Sequence, residues 1–355
     1  MKLIELHILQ SFPVSCLNRD DVGAPKSAIF GGVNRSRISS QCLKRASREY
    51  NQANFPTGRF NGQRTRYIIL PLQQALKKYG VDIDNAQKYA LELADSLAPL
   101  DKVKEGEEPR IKTLMFLSSR EIDSLAEEAA KLILISKDAK KLSNDIKKPK
   151  KHCFVSDAAD IAIFGRMVAS DASLTLEGAA MMSHALSTHH VNNDIDFFTA
   201  VDDSKLQVKD AGAAMMGVLE FVSAVYYRYV ALNLDLLFDQ NHLESLSQNE
   251  RILVVEAFIR SSLMSVPNAR KNSMNAHTLP GYVLGIVKDA GQPIQLINAF
   301  EEPVNARNGL MSASIERLKA HNVKLKNTWN IATNIEIAMP ENNMNVFCSE
   351  ILKYV

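Results

Sequence analysis

A chain of 355 residues that is 46% hydrophobic and 23% charged can fill a sizeable core, which excludes a disordered polyelectrolyte. No apolar run approaches the length of a membrane span. The four cysteines (Cys16, Cys42, Cys153 and Cys348) show no CxxC spacing, so neither a disulfide framework nor a zinc site is expected, and a cytoplasmic setting is. The net charge of +2 hides an asymmetry: residues 1–66 carry 11 Lys or Arg against 4 Asp or Glu, a balance of +7 that leaves −5 for the rest, and such a local basic block points to a polyanion-binding face.

Residues 2–9 alternate, with Ile4, Leu6 and Ile8 on one side, and predict a strand. Glu5 and His7 interrupt the apolar run, so it reads as a poor signal peptide. SCLNRDD (15–21) predicts a polar loop. Residues 28–48 then hold five cations and no acid. Gly31 and Gly32 signal a loop that lays down Arg35 and Arg37. Ser39 and Ser40 offer N-cap hydroxyls to a helix over 40–50, whose apolar arc is Cys42, Leu43, Ala46 and Tyr50. Gln41, Lys44, Arg45 and Arg48 fall on the opposite arc, where only Glu49 can neutralise a cation. The free amides of a helix start suit phosphates. The stretch lacks the Gly-Lys-Ser/Thr ending of a nucleotide-binding loop, so repeated backbone phosphates explain it better.

From about 55 to 150 the periodicity is helical, in LPLQQALKKYG, NAQKYALELADSLAPL and SREIDSLAEEAAKLILIS. The segment ends in KKPKK (147–151), a charge run that reads as a surface loop. DIAIFGRMV (160–168) predicts a buried strand ending at Gly165. EGAAMMSHALSTHHV has helical spacing, NNDIDFFTAVDD suits a hairpin or arm, and EFVSAVYYRYVALNLDLL predicts a long strand. Ser247 to Glu250 forms a capping box that opens a helix stopping before Pro267. GYVLGIVK (281–288) predicts a strand, SASIERLKAHNV a helix, and the remainder an irregular tail. Stripped of insertions, the order strand, helix, strand, strand, helix, strand is that of an α+β ferredoxin-like (RRM-like) fold.

The segments SCLNRDD, AIFGG, RISSQCLKRA, GRM, DIDFFTAVDD and YYRY occur in this order in the CasC family, and the chain resembles it densely over about 1–48 and 160–229. CasC proteins are the backbone subunits of the type I-E CRISPR Cascade surveillance complex. The resemblance implies a palm in 1–54, 156–169 and 218–355, a helical fingers insertion over 55–155 and a protruding thumb hairpin over 170–217. It further implies copies stacked head to tail in a helical filament along one CRISPR RNA, whose guide pairs with target DNA. The large, small, five-prime-end and RNA-processing subunits, and indirectly a recruited helicase–nuclease, are the implied partners; no cofactor, catalysis or membrane is. Arg19, Lys26, Lys44, Arg45 and Arg48 are thereby expected on the RNA backbone, Met167 and Phe198 at a displaced base, and Arg166, next to Met167, as a further RNA contact.

The residues are suited to such a role. A subunit that serves any guide must grip phosphate and sugar, which carry no sequence information. Arg35 and Arg37 join the contacts on charge alone, and Ser39, Ser40 and Gln41 add neutral hydrogen bonds. Arg270 and Lys271, in the polar loop NARKNSMNAH, are placed to reach RNA, although a solvated loop accounts for them equally well. Met167 and Phe198 are candidate wedges, with burial in the core as the alternative. A metal-dependent or His-based ribonuclease on the same fold is the other class of function. His184, His189 and His190 with Asp194 and Asp196 are the residues of the metal-dependent form, but the three histidines' spacing does not place them on one helical face, and His189 or His277 would serve the metal-free form.

Overall fold

A computed structural model of the chain describes residues 1–55, 59–104, 106–135, 142, 145, 157–168, 174–200, 215–305 and 309–355. The charge run at 147–151, Cys153, Asp202 and Asp203 lie outside them. The chain divides into two compact units, one of residues 1–51, 181–233 and 255–355, the other of 52–180 and 234–254.

The first unit is built on an antiparallel sheet. In chain order the strands are β1 (Leu3–Ser15), β2 (Ser27–Phe30), β3 (Val33–Ile38), β4 (Gln63–Thr65) and β5 (Met115–Leu117), which pair only with each other, then β6 (Ala180–Met182), β7 (Ala185–Ser187), β8 (Asp194–Ala200), β9 (Met215–Asn233), β10 (Tyr282–Lys288) and β11 (Ile335–Met339). The sheet runs in the order β11-β10-β1-β9-β7-β3-β2, with β8 pairing further along β9. β1 is central: His7 lies opposite Tyr229 of β9 and Leu284 of β10, and residues 3–10 are buried on both sides. One side packs Leu9, Tyr227, Tyr229 and Ile286 against Phe300 and Leu318, the latter on helix Leu310–Trp329. The other packs Phe12, Ile38, Val222 and Tyr226 against Leu43 of helix α1 (Ser40–Asn54) and Val266.

Local chemistry accounts for much of this. Phe30-Gly31-Gly32-Val33 closes the β2–β3 hairpin, with φ of 60° and 75° at the two glycines, the left-handed values that a tight hairpin turn demands. Residues 33–38 are therefore a strand and not the expected loop. The capping box is present at 247–250, where Glu250 Oε2 accepts from the Ser247 amide at 3.0 Å, ahead of helix Gln248–Met264.

The second unit holds helices Ile69–Lys78, Ile83–Leu97 and Ser119–Ile135, as the periodicity predicts, around Leu72, Leu76, Leu93 and Ala126. The strand expected within 160–168 is a helix instead, Ala159–Phe164, closed by Gly165 at φ 76°. Its residues 159–163 are all buried, Asp160 among them, and a short, wholly buried run reads alike as helix or strand. Two further expectations are corrected. Helix-like spacing in 177–191 gives way to short strands, Ala180–Met182 and Ala185–Ser187, because β9 supplies partners for Leu186 and Ser187 at Tyr227 and Tyr226. The tail is ordered, with β11 pairing β10 and helix Met344–Leu352 laying Phe347 and Ile351 on the space above Gly285.

Candidate nucleic-acid interface

The basic face of the first unit is assembled by polar side chains of the loop that follows β1. Asp20 Oδ1 accepts from the amides of Val22 (3.0 Å) and Ala24 (2.9 Å), which folds the loop back so that Arg19 bridges to Pro25. Asn18 ties this loop to the helix start: its carbonyl accepts from the Lys26 amide at 2.9 Å, and its Oδ1 from the Ser39 amide at 2.8 Å. The Lys26 carbonyl accepts from the Arg37 amide at 2.8 Å. Ser39 Oγ then caps α1 by accepting from the Cys42 amide at 3.3 Å. Arg19, Lys26, Arg37 and the first turns of α1 are thereby held on one small framework.

Electrostatics shows how closely the cations converge. Burial pushes the Cys42 thiol up, and Arg45 and Lys26 pull it back. Burial also pushes up the Cys16 thiol, against which Arg270 and Arg19 act together, so a residue some 250 positions away in sequence comes near Arg19. Arg270 stands in a turn at φ 52° and lines a groove with Asn268, Lys271, Asn272 and Ser273. Lys271 and Gln41 are exposed. Arg45 is exposed but paired with Glu49 at 2.7 Å. Lys44 and Arg48 are half-buried, and burial holds the Lys44 ammonium below the usual lysine range. The amide of Ser40 donates to Nδ1 of His184 at 3.0 Å, which places an imidazole among these groups.

Two of the expected contacts are structural. Arg35 is completely buried, and its guanidinium donates to the carbonyls of Phe30 (3.2 Å), Ser187 (3.0 Å), Phe300 (2.8 Å) and Glu301 (3.1 Å). It fastens the β2–β3 hairpin to the segment after the 3-10 turn Ile297–Phe300 and cannot meet a phosphate. Arg166, in the second unit, is buried as well: it pairs with Glu121 at 2.7 Å and donates to the carbonyls of Leu174 and Phe116. Burial pushes the Glu121 carboxyl up while Arg166 pulls it down. Charge in a sequence says nothing of accessibility, and both arginines satisfy carbonyls that burial would otherwise leave unpaired.

The apolar candidates divide. Met167 is 79% exposed in the second unit and is no core residue. Phe198 is half-buried in the first, its ring lying over Gly217 of the paired strand, where a Cβ would come within 2.4 Å of it. Phe197 is the exposed ring of the pair, at 73%, and shares one face of the β8–β9 ribbon with Ile195, Met216 and Val218. The alternation along β8 sends 197 and 198 to opposite faces, but sequence alone does not say which face is bare.

Of the candidate hydrolytic residues, His189 is engaged at both ring nitrogens. His189 Nδ1 lies 2.9 Å from the His190 carbonyl, and its Nε2 accepts from the Val225 amide at 3.3 Å. Among the described residues no three His, Cys, Asp or Glu side chains are grouped to hold a metal ion. No helix among them is long and apolar enough to cross a membrane.

The profile of a family described as CT1975-like protein matches residues 4–348. A solved chain of a "CRISPR RNA-guided surveillance complex, pre-nicking" is 27% identical, with a TM-score of 0.79 and 99% of each chain covered. A second, from a "CRISPR RNA-guided surveillance complex", is 23% identical at a TM-score of 0.69, covering 99% of this chain and 100% of its own. No curated protein matches the sequence.

Proposed function

The chain belongs to the CT1975-like protein family, and from that premise we propose that it is the repeated backbone protomer of a type I-E CRISPR surveillance complex. In this role it binds CRISPR RNA without regard to sequence and does not cut it. Copies stack head to tail along the RNA in the cytoplasm and meet the large, small, five-prime-end and RNA-processing subunits. The guide they present pairs with target DNA. The strand order β10-β1-β9-β7, with α1 and helix Gln248–Met264 as its crossings, is the part of the sheet that answers to a ferredoxin-like palm. On this reading the β8–β9 ribbon is the thumb and the helices of the second unit are the fingers.

One observation carries the reading: Arg19 and Lys26 of the loop after β1 and Arg37 of β3 share one framework with the start of α1, and Arg270, from a third segment, meets Arg19 beside Cys16. Lysine and arginine so placed attract phosphates, and Ser40 and Gln41 add neutral donors that fit any nucleotide. Arg45, Lys44, Arg48 and Lys271 extend the face, and Ser39 holds its helix start in place. Met167, and Phe197 more than Phe198, offer exposed apolar surface on which an unstacked base gains about 1–3 kcal/mol. No observation favours the ribonuclease alternative, since His189 is committed to backbone groups. Because Lys44 is half-buried, alanine is a better test than charge reversal. The triple variant Arg19→Ala, Lys26→Ala, Lys44→Ala should keep its melting temperature and lose co-purifying RNA; full RNA retention with an intact fold would refute the assigned face.

A further inference from the structure

His184 occupies the turn between β6 (Ala180–Met182) and β7, with its ring exposed. Its Nδ1 faces the amide of Ser40 at 3.0 Å. A backbone N–H can only donate, so Nδ1 must be the nitrogen that bears the lone pair, and the ring hydrogen belongs to Nε2. Burial, then Arg37 and Lys26, holds the ring below the ordinary histidine pKa, so it is uncharged at neutral pH. Protonating Nδ1 would also break the bond to Ser40. Among the described residues Nε2 has no partner. The result is a neutral N–H donor of fixed tautomer, exposed beside one lysine of the loop before β2 and one arginine of β3.

We propose that His184 is a further RNA contact of this face, donating Nε2–H to a sugar or phosphate oxygen brought in by Lys26 and Arg37. The inference rests on the RNA-binding reading above. It assigns the site a division of labour: the cations supply long-range attraction, and the imidazole supplies a directional hydrogen bond that leaves the charge count unchanged. The bond Ser40 N–H to Nδ1 makes the α1 start the element that sets the tautomer.

The test is binding of a short oligouridylate RNA to the purified full chain across a salt series, with ring nitrogen shifts of His184 read by NMR. His184→Phe should bind about three- to tenfold more weakly, the worth of one net hydrogen bond, with the slope of log K against log salt unchanged. His184→Gln, which restores a neutral donor near the same place, should bind within about twofold of the unaltered protein. Lys26→Ala calibrates the slope, which should fall by about 0.7 for one phosphate contact to a single strand. Undiminished binding by His184→Phe overturns the proposal. So does a slope change in that variant, which would mark a charged contact, or equal loss in His184→Gln, which would mark packing. A hydrogen on Nδ1 in the NMR spectrum overturns it even if His184→Phe does not fold. Absence of RNA binding by the unaltered protein overturns the proposed function itself, and this inference with it.

Discussion

Arg35→Met should loosen the β2–β3 hairpin while leaving the cations of the basic face in place. The guanidinium donates to four carbonyls, of which those of Ser187 and Phe300 are wholly buried and those of Phe30 and Glu301 partly so. Water can reach the latter two after the substitution. The two buried acceptors cannot be rescued and cost about 1–3 kcal/mol each. Two such acceptors together cost about 2–6 kcal/mol, so a loss of about 4 kcal/mol is expected, or roughly a thousandfold in local opening. Amide hydrogen exchange of residues 28–38 reads this directly, and it does so for one segment of a chain that has two compact units. Arg35→Lys should recover part of the protection, since one ammonium cannot span all four acceptors. Gly31→Ala should loosen the same hairpin, because a Cβ there would stand 1.7 Å from the Glu301 carbonyl oxygen. Unchanged protection in Arg35→Met, accompanied by a loss of RNA affinity, would show that Arg35 is an RNA contact and refute the clamp.

Three other outcomes are expected. Burial, with Lys288, holds the His7 ring neutral down to about 3, whereas the unfolded ring titrates near 6.5. Between those values the unfolded chain binds a proton that the native one does not, so stability present above pH 6.5 should fall as pH drops, by about 2 kcal/mol at about pH 5. His7→Gln should flatten that slope in exchange of the β1 amides; an unaltered slope would show that another group carries it. Glu121→Gln should destabilise the second unit by about 3–5 kcal/mol, because it leaves Arg166 charged and buried, and a shift in thermal unfolding below about 1 kcal/mol would contradict the pairing. RNA affinity should fall steeply with salt, with a slope of several units, and a flat dependence would mean that phosphates are not what the face grips.

Much of the frame was legible in the sequence because period and burial coincide there. The helices at 69–97 and 119–135 each show one apolar face, whereas β1 alternates in sequence yet buries residues 3–10 on both sides, so its period announced a strand but not its central place. Helix Ala159–Phe164 was not legible, since it is short, buries Asp160 along with its apolar residues, and period alone does not separate helix from strand in six residues. The strands at 180–187 owe their state to pairing with β9, a partner some 40 positions away that no local signal announces. In the site, the loop, the cap and the cations of α1 could be read directly. The roles of Arg35 and Arg166 could not, because they follow from carbonyls and a carboxylate that only the fold brings near. Asn18 carried a signal in its polar loop, but its two hydrogen bonds to Lys26 and Ser39 depend on how that loop turns back. Arg270 reaches the face only through the turn at 268–273.

The measurement that bears most directly on the account is the nucleic acid the protein retains when expressed with a matching CRISPR array and its neighbouring subunits. Purification at moderate salt, followed by sequencing of the bound fraction, should yield intact guide-length RNA with repeat-derived ends. Absence of RNA, or recovery of randomly shortened fragments alone, would contradict the backbone role and return attention to cleavage.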